Sequence, residues 1–322
     1  MLSSKHVLIT GGNGFIGAHL ARRCVALGAK VAVLSHHAGG NWRLKDIEDK
    51  IEMFIGSVAD SKVVAPLVKN FKPEIVFHLA ASINRDRSLA IFSDLYHTNV
   101  EGTEVLLASL LGASFLKRFV QIGTIDEYGS NQAPFKETDR ELPMSPYSLT
   151  KLMANRLVEY ASWEEKFPAV IVRPALVYGP AQSFGMLVTE CIKSCLAGET
   201  LPMTPGEQSR DLLYVDDMVE ALIQAGTVDK AIGEVINIGS GEEVVIKKVV
   251  LTINELLGNK GDIQFGKLPY RPGENIHFWL ETKKARRILN WQPRVSLLDG
   301  LQTTVEWYKE NQKRFPDLQP RR

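Results

Sequence analysis

Apolar positions fall along the 322-residue chain in two alternating rhythms. Short runs with no polar face, at residues 7–9, 30–34, 51–55, 75–79, 119–122 and 169–172, read as strands covered on both sides. Between them, residues 15–27, 61–70, 93–112 and 146–166 space their apolar side chains at three and four, as helices do. This succession predicts an α/β fold with a doubly wound parallel sheet, which takes ligands at the carboxyl ends of its strands where the strand order reverses. After Tyr178-Gly179-Pro180 the rhythm loosens through the loop-rich Leu201-Pro202-Met203-Thr204-Pro205-Gly206 to a last helix at 297–311. The expected organisation is a first domain over 1–180 and a smaller lobe over 181–322, with a strand near 235–238 returning to the main sheet.

The first strand breaks into glycines that recur at three-residue intervals, Gly11, Gly14 and Gly17, before a helix begins. The first permits a tight turn, the second a close approach of backbone to a pyrophosphate, and the third close packing of helix on strand. The helix start offers free N–H groups and a positive dipole end to phosphate. Residues 1–180 are thus expected to be a Rossmann domain that binds NAD(P), and 181–322 a substrate-binding lobe. An acid after the second strand would hold the ribose hydroxyls of NAD. Between Gly17 and Asp46 there is none; Ser35, His36 and His37 are followed by Arg43 and Lys45. Such a surround accommodates a 2′-phosphate, so NADP is preferred over NAD.

A net charge of +1 gives no reason to expect nucleic acid or an acidic surface as partner. No apolar run approaches the roughly 18 residues that span a bilayer. The first strand starts too close to Met1 for a signal peptide to precede it. Cys24, Cys191 and Cys195 form a sparse, odd set suited to a reducing compartment, and the expected location is cytoplasmic. Cys191 and Cys195 sit four apart on a helix with no histidine near, so no metal site is expected.

A second constellation is Ser145-Pro146-Tyr147-Ser148-Leu149-Thr150-Lys151. Ser145 suits a helix N-cap and Pro146 the first helical position, which puts Tyr147 and Lys151 on one face, four apart. A phenol with its ordinary pKa near 10 is a poor base at neutral pH. A neighbouring ammonium and a nicotinamide cation would bring it into a useful range.

Taken with the glycine turn, Tyr147 and Lys151 resemble the extended short-chain dehydrogenase/reductase family, and within it the nucleotide-sugar epimerase/dehydratase branch. Further matches are Phe77-His78-Leu79-Ala80-Ala81, Thr98-Asn99-Val100-Glu101-Gly102-Thr103, Thr124 before Tyr128-Gly129, and Arg173-Pro174 with Tyr178-Gly179-Pro180. Arg210-Asp211 before Tyr214-Val215-Asp216-Asp217, and Arg271-Pro272-Gly273-Glu274, complete the series. The resemblance implies that Thr124 hydrogen-bonds the reacting sugar oxygen, Tyr147 exchanges its proton, Lys151 binds the nicotinamide ribose, and Asn99 supports the site. His78 is expected to pack beside the cofactor. Cofactor contacts are implied at Gly11, Asn13, Gly14, Phe15, Ile16, Gly17, Ser35, His36, Arg43, Val58, Leu79, Ala80, Ala81, Tyr147, Lys151 and Pro174. Substrate contacts are implied at Asp126, Arg210 and Arg271, the two arginines gripping the nucleotide diphosphate with their planar forks.

Departures from the family pattern are Leu176, where relatives commonly carry asparagine, and Ser57, where they carry an acid. Family 4,6-dehydratases often follow the threonine with Asp and then Glu; here Ile125 and Asp126 stand in those places, and two acids precede Tyr128-Gly129 as in 4-ketoreductases. The resemblance therefore implies hydride transfer at C4 of a nucleotide-linked hexose, first as a 4-ketoreductase, then as a 4-epimerase, then as a 4,6-dehydratase. A dinucleotide-binding sensor or scaffold without catalysis is the reading from another class, disfavoured because Thr124, Tyr147 and Lys151 are all present. It also implies a homodimer, paired through the helices near Ser93 and Pro146 with Val105, Leu106, Leu152 and Val158 in the contact.

Overall fold

The computed structural model describes residues 2–37, 41–84 and 86–314. Six strands, β1 (His6–Thr10), β2 (Lys30–Ser35), β3 (Ile51–Ile55), β4 (Ile75–His78), β5 (Arg118–Ile122) and β6 (Ala169–Pro174), share one sheet with Val235–Ile238. From the edge the order is Val235–Ile238, β6, β5, β4, β1, β2, β3, and every neighbouring pair is parallel. Strands buried on both faces need no polar side, which is why their sequences run apolar without alternation.

The helices are α1 (Phe15–Ala26), α2 (Ser61–Phe71), α3 (Phe92–Tyr96), α4 (Gly102–Leu110), α5 (Pro146–Glu164), α6 (Leu187–Ala197), α7 (Val215–Thr227) and α8 (Ile246–Leu256). Val7 and Ile9 of β1 point into a core with Leu20 of α1 and Leu222 of α7. Leu8 points the other way, into a core with Leu67, Leu106 and Val158 from α2, α4 and α5. Two covered faces make the doubly wound architecture that the sequence predicts. A third core, built on Cys191, Ile192, Val249 and Ile253, joins α6 and α8 to the helix Leu297–Glu310.

The expected helix over 93–112 runs continuously through α3, a π turn at His97–Glu101, and α4. Leu106 and Val158 are fully buried, so they belong to the core and not to a subunit contact. Val105 and Leu152 keep partial exposure. Among the described residues no helix is long and apolar enough to cross a membrane.

The reversal of strand order lies between β1 and β4, and the glycine turn occupies its carboxyl edge. Gly11 has φ +69°, and a Cβ there would sit 2.8 Å from the Ala80 nitrogen. A Cβ on Gly17 would lie 2.4 Å from the Gly11 carbonyl oxygen, so α1 packs on the turn only as glycine.

Candidate active site

Helix α1 opens at Gly14 with no side-chain cap and no acid in its first turn. Its orphan N–H groups are thus available to an anion, and the bare glycine backbone beside Ala80 leaves room for one. Asn13, Phe15 and Ile16 belong to this same turn, while Leu79, Ala80 and Ala81 follow β4 at the neighbouring edge. Ser35 ends β2, where its hydroxyl donates to the His37 carbonyl at 3.0 Å; His36 beside it is exposed. Val58 is buried after β3, and Pro174 closes β6. These residues fit a dinucleotide.

Arg43 is held by other partners. Its Nε donates to the Ala181 carbonyl at 2.9 Å and its Nη2 to Ser183 Oγ at 3.0 Å, and its guanidinium stacks 4.4 Å from the Trp42 ring. The sequence places it near the second strand but carries no sign of this commitment to the 181–183 loop.

Ser145 caps α5 by accepting from the Ser148 N–H at 3.1 Å, with Pro146 in the first turn. Tyr147 then lines an open cavity of about 440 Å³, while Lys151, one turn on, is 4% exposed. Burial lowers the Lys151 ammonium to about 8, and the Glu127 carboxylate opposes that fall. Asn99, in the π turn, accepts from Ser82 N–H at 2.8 Å and donates to Ser82 O at 3.1 Å and Thr150 Oγ1 at 3.0 Å. It thereby ties the segment after β4 to α5. His78 sits between Thr10 Oγ1 at 2.7 Å and Thr103 Oγ1 at 3.0 Å, and burial, with Lys151 nearby, pushes it down to about 3. It is neutral and structural at ordinary pH.

Past β5, Thr124 is buried and caps a short turn, Ile125–Glu127: its hydroxyl accepts from Asp126 N–H at 3.2 Å and donates to the Asp126 carboxylate at 3.3 Å. The two acids after it part company. Asp126 lines the cavity, whereas Glu127 is fully buried against Arg173.

From the part of the chain after residue 180, Arg210 and Arg271 reach the same cavity as Tyr147 and Asp126. Arg210 is braced by Ser209 O at 2.7 Å, Asn275 O at 3.0 Å and the Glu274 carboxylate. Arg87, which no sequence motif singles out, lines the cavity and donates to Pro272 O at 2.6 Å. Asn275 Nδ2 donates to Gly129 O, a further bond at the rim between residues distant in the chain. Leu176 and Phe278 add apolar wall. The arrangement can hold an anion on arginine forks and present a phenol and one carboxylate to what the anion carries.

Residues 7–239 match the model of the NAD dependent epimerase/dehydratase family. The chain is 32% identical to dTDP-glucose 4,6-dehydratase 1 of Escherichia coli, over 95% of this chain and 93% of that one. Among solved structures it resembles UDP-glucose 4-epimerase of Thermotoga maritima with UDP-glucose (TM-score 0.88, 30% identity, 95% and 99% of the two chains). It also resembles dTDP-glucose 4,6-dehydratase of Bacillus anthracis in complex with NAD (TM-score 0.87, 27% identity, 98% and 100%).

Proposed function

The chain belongs to the NAD dependent epimerase/dehydratase family, as an enzyme of its nucleotide-sugar branch, and on that premise we propose that it reduces the 4-keto group of a nucleotide-linked hexose. The observation that carries this reading is the pair of acids after Thr124. Elimination across C5 and C6 calls for a proton donor and a proton acceptor beside those carbons. Ile125, at the first of the two positions where family dehydratases carry acids, is 1% exposed, and Glu127 is turned into a buried ion pair. That leaves Asp126 as the one carboxylate of the Thr124–Gly129 run on the cavity wall.

Hydride exchange at C4 makes smaller demands on the chain. A nicotinamide dinucleotide bound at the glycine turn supplies the hydride. Tyr147 holds the proton that the C4 oxygen takes up, Thr124 hydrogen-bonds that oxygen, and Lys151 keeps positive charge beside the phenol. Arg210 and Arg271 hold the diphosphate, and Asn99 keeps α5 in register with the segment after β4. NADP(H) is the proposed cofactor, supported by the absence of any acid between Gly17 and Asp46. Because Arg43 is bound to Ala181 and Ser183, recognition of a 2′-phosphate falls to Ser35 and His36. A 4-epimerase with retained NAD is the second reading, favoured by that same commitment of Arg43 and by the likeness to an epimerase holding UDP-glucose.

The test is a nucleoside-diphospho-4-keto-6-deoxyhexose with reduced cofactor. A ketoreductase consumes reduced nicotinamide one for one with sugar. Interconversion of 4-epimers without net consumption overturns ketoreduction in favour of the second reading. Formation of a 4-keto-6-deoxy product from an unmodified nucleotide hexose overturns both.

The enzyme is further proposed to be a cytoplasmic homodimer. Its free cysteines support the compartment. Along α5, Leu149, Tyr160 and Trp163 are 37%, 62% and 77% exposed, an apolar stripe that a second copy would cover.

A further inference from the structure

We propose that Glu127 is a positioning residue of this site: its carboxylate anchors the Thr124 backbone on one side and supplies the buried counter-charge of the Lys151 ammonium on the other. The inference rests on the roles proposed above for Thr124 and Lys151.

Four hydrogen bonds converge on the Glu127 side chain, which is fully buried. Oε1 accepts from the Thr124 N–H at 2.8 Å and from Asn155 Nδ2 at 2.8 Å. Oε2 accepts from Arg173 Nε at 2.7 Å and again from Asn155 Nδ2 at 2.8 Å. Each of these partners is a donor. A protonated carboxyl would need an acceptor for its own hydrogen, and none of the four contacts offers one, so the geometry is that of an anion. Asn155 is spent on this carboxylate. Its amide turns both bonds toward Glu127 and leaves its own oxygen buried without a partner.

The charge also has a recipient. Lys151 lies one turn before Asn155 on α5, and among the described residues no carboxylate comes within ion-pair distance of its ammonium. The groups that face it are Glu127 from the turn after β5, His78 from β4 and Tyr147 on its own helix. His78 is neutral, and Glu127, hydrogen-bonded to Asn155 one turn on from Lys151, is the acid whose charge favours the ammonium. Arg173 is neutralised on both forks, Nε on Glu127 and Nη2 on Glu141 at 2.5 Å, and Glu141 in turn pairs with Arg156 at 2.6 Å. Burial favours the neutral amine, so removing the Glu127 charge should release the Lys151 proton at lower pH.

Adjacent acids thus divide the work. Asp126 faces the ligand, and Glu127 faces the machinery. Replacing Glu127 by Gln keeps its volume and removes its charge.

The experiment follows lysine Cε resonances of the full-length protein against pH, with Lys151 assigned by its absence in Lys151→Met. The wild-type lysine should titrate near 8. Glu127→Gln should lower that midpoint by about one pH unit or more, a tenfold loss of ammonium at a given pH above it. In turnover, the alkaline limb of the pH profile should move down with it, kcat falling about twofold near pH 7 and approaching tenfold well above the wild-type midpoint while KM stays close to wild type. Glu127→Asp retains the charge and should keep the Lys151 titration near wild type. Should Glu127→Gln not fold, the double variant Glu127→Gln/Arg173→Gln removes opposite charges together, and it should show the same downward shift because Arg173 is not among the groups acting on Lys151. An unmoved Lys151 titration in either charge-removing variant, or a lowered one in Glu127→Asp, overturns the proposal. The titration needs no substrate, so it stands or falls apart from the reaction assigned above.

Discussion

Arg173→Met tests how the floor of the site is held together. Arg173 is 1% exposed, and its guanidinium meets Glu127 at 2.7 Å, Glu141 at 2.5 Å and the Tyr128 hydroxyl at 3.2 Å, with the Tyr128 ring 4.9 Å below. Methionine fills much of the volume but leaves the Glu127 carboxylate buried without its cation. Breaking a buried pair in this one-sided way costs about 3–5 kcal/mol. At roughly 2–4 °C per kcal/mol for domains of this order, Tm should fall by about 10 °C. The pH dependence carries a second signature. Burial already pushes Glu127 above the ordinary carboxylate range, and Arg173 is the largest influence pulling it back. In the variant the folded-state value rises further while the unfolded value stays put. The folded state then binds more protons than the unfolded one between those two values, so stability falls as pH rises through that window. The deficit should therefore shrink on acidification toward the ordinary carboxylate value. Glu127→Gln added to Arg173→Met should recover a large part of the loss, because it removes the stranded charge. Thermal melts of Arg173→Met, the double variant and wild type at neutral and mildly acidic pH decide the matter. A loss under about 1 kcal/mol for Arg173→Met, or no recovery in the double variant, refutes the idea that these charges stabilise as a pair.

Tyr147→Phe should cut turnover by roughly 10²–10⁴ while cofactor affinity, measured by fluorescence titration, stays near wild type; turnover within a few-fold of wild type removes the phenol from the mechanism. Arg271→Ala should weaken binding of a free nucleoside diphosphate about ten- to hundredfold by calorimetry and raise KM more than it lowers kcat, since the diphosphate does not react. Arg210→Ala should do the same and also loosen Glu274 and Asn275, so its effect should be at least as large; normal binding in both would mean the ligand is not a nucleotide sugar. Trp163→Glu should convert a homodimer to monomer at micromolar concentration in light scattering, and a wild-type monomer under those conditions would refute the α5 face as a subunit contact.

The sheet was legible because strands covered on both faces must be apolar throughout, as in Val31-Ala32-Val33-Leu34. The Tyr147/Lys151 pair was legible because helical spacing places it once the Ser145 cap fixes where α5 begins. Other features depend on partners distant in the chain. The two-residue strand Ser209–Arg210 exists only by pairing with Val244–Val245, and neither segment has a period of its own. The same holds for Arg43, whose partners lie 138 and 140 residues away. Leu106 and Val158 show that an apolar helix position does not say whether it faces the core or a second subunit. Nor does a run of two acids say which one faces a cavity; the tight turn after Thr124 decides that.

The π turn at His97–Glu101 has a consequence for how such a site can change. A π turn holds one residue more than the chain needs for an α-helical path. Deleting a single residue there would let α3 run straight into α4, whose packing on α2 and α5 would stay in place. Because the π turn absorbs its extra residue in a widened loop of backbone, the helices on either side would stay in phase, and the change would fall on the turn itself. Asn99 would leave Ser82 and Thr150, and the segment carrying Asn84 and Arg87 would lose that anchor beside the cavity mouth. Length at this one turn is therefore a dial on the cavity mouth, adjustable by the loss of a codon while the glycine turn, Tyr147 and Lys151 keep their places.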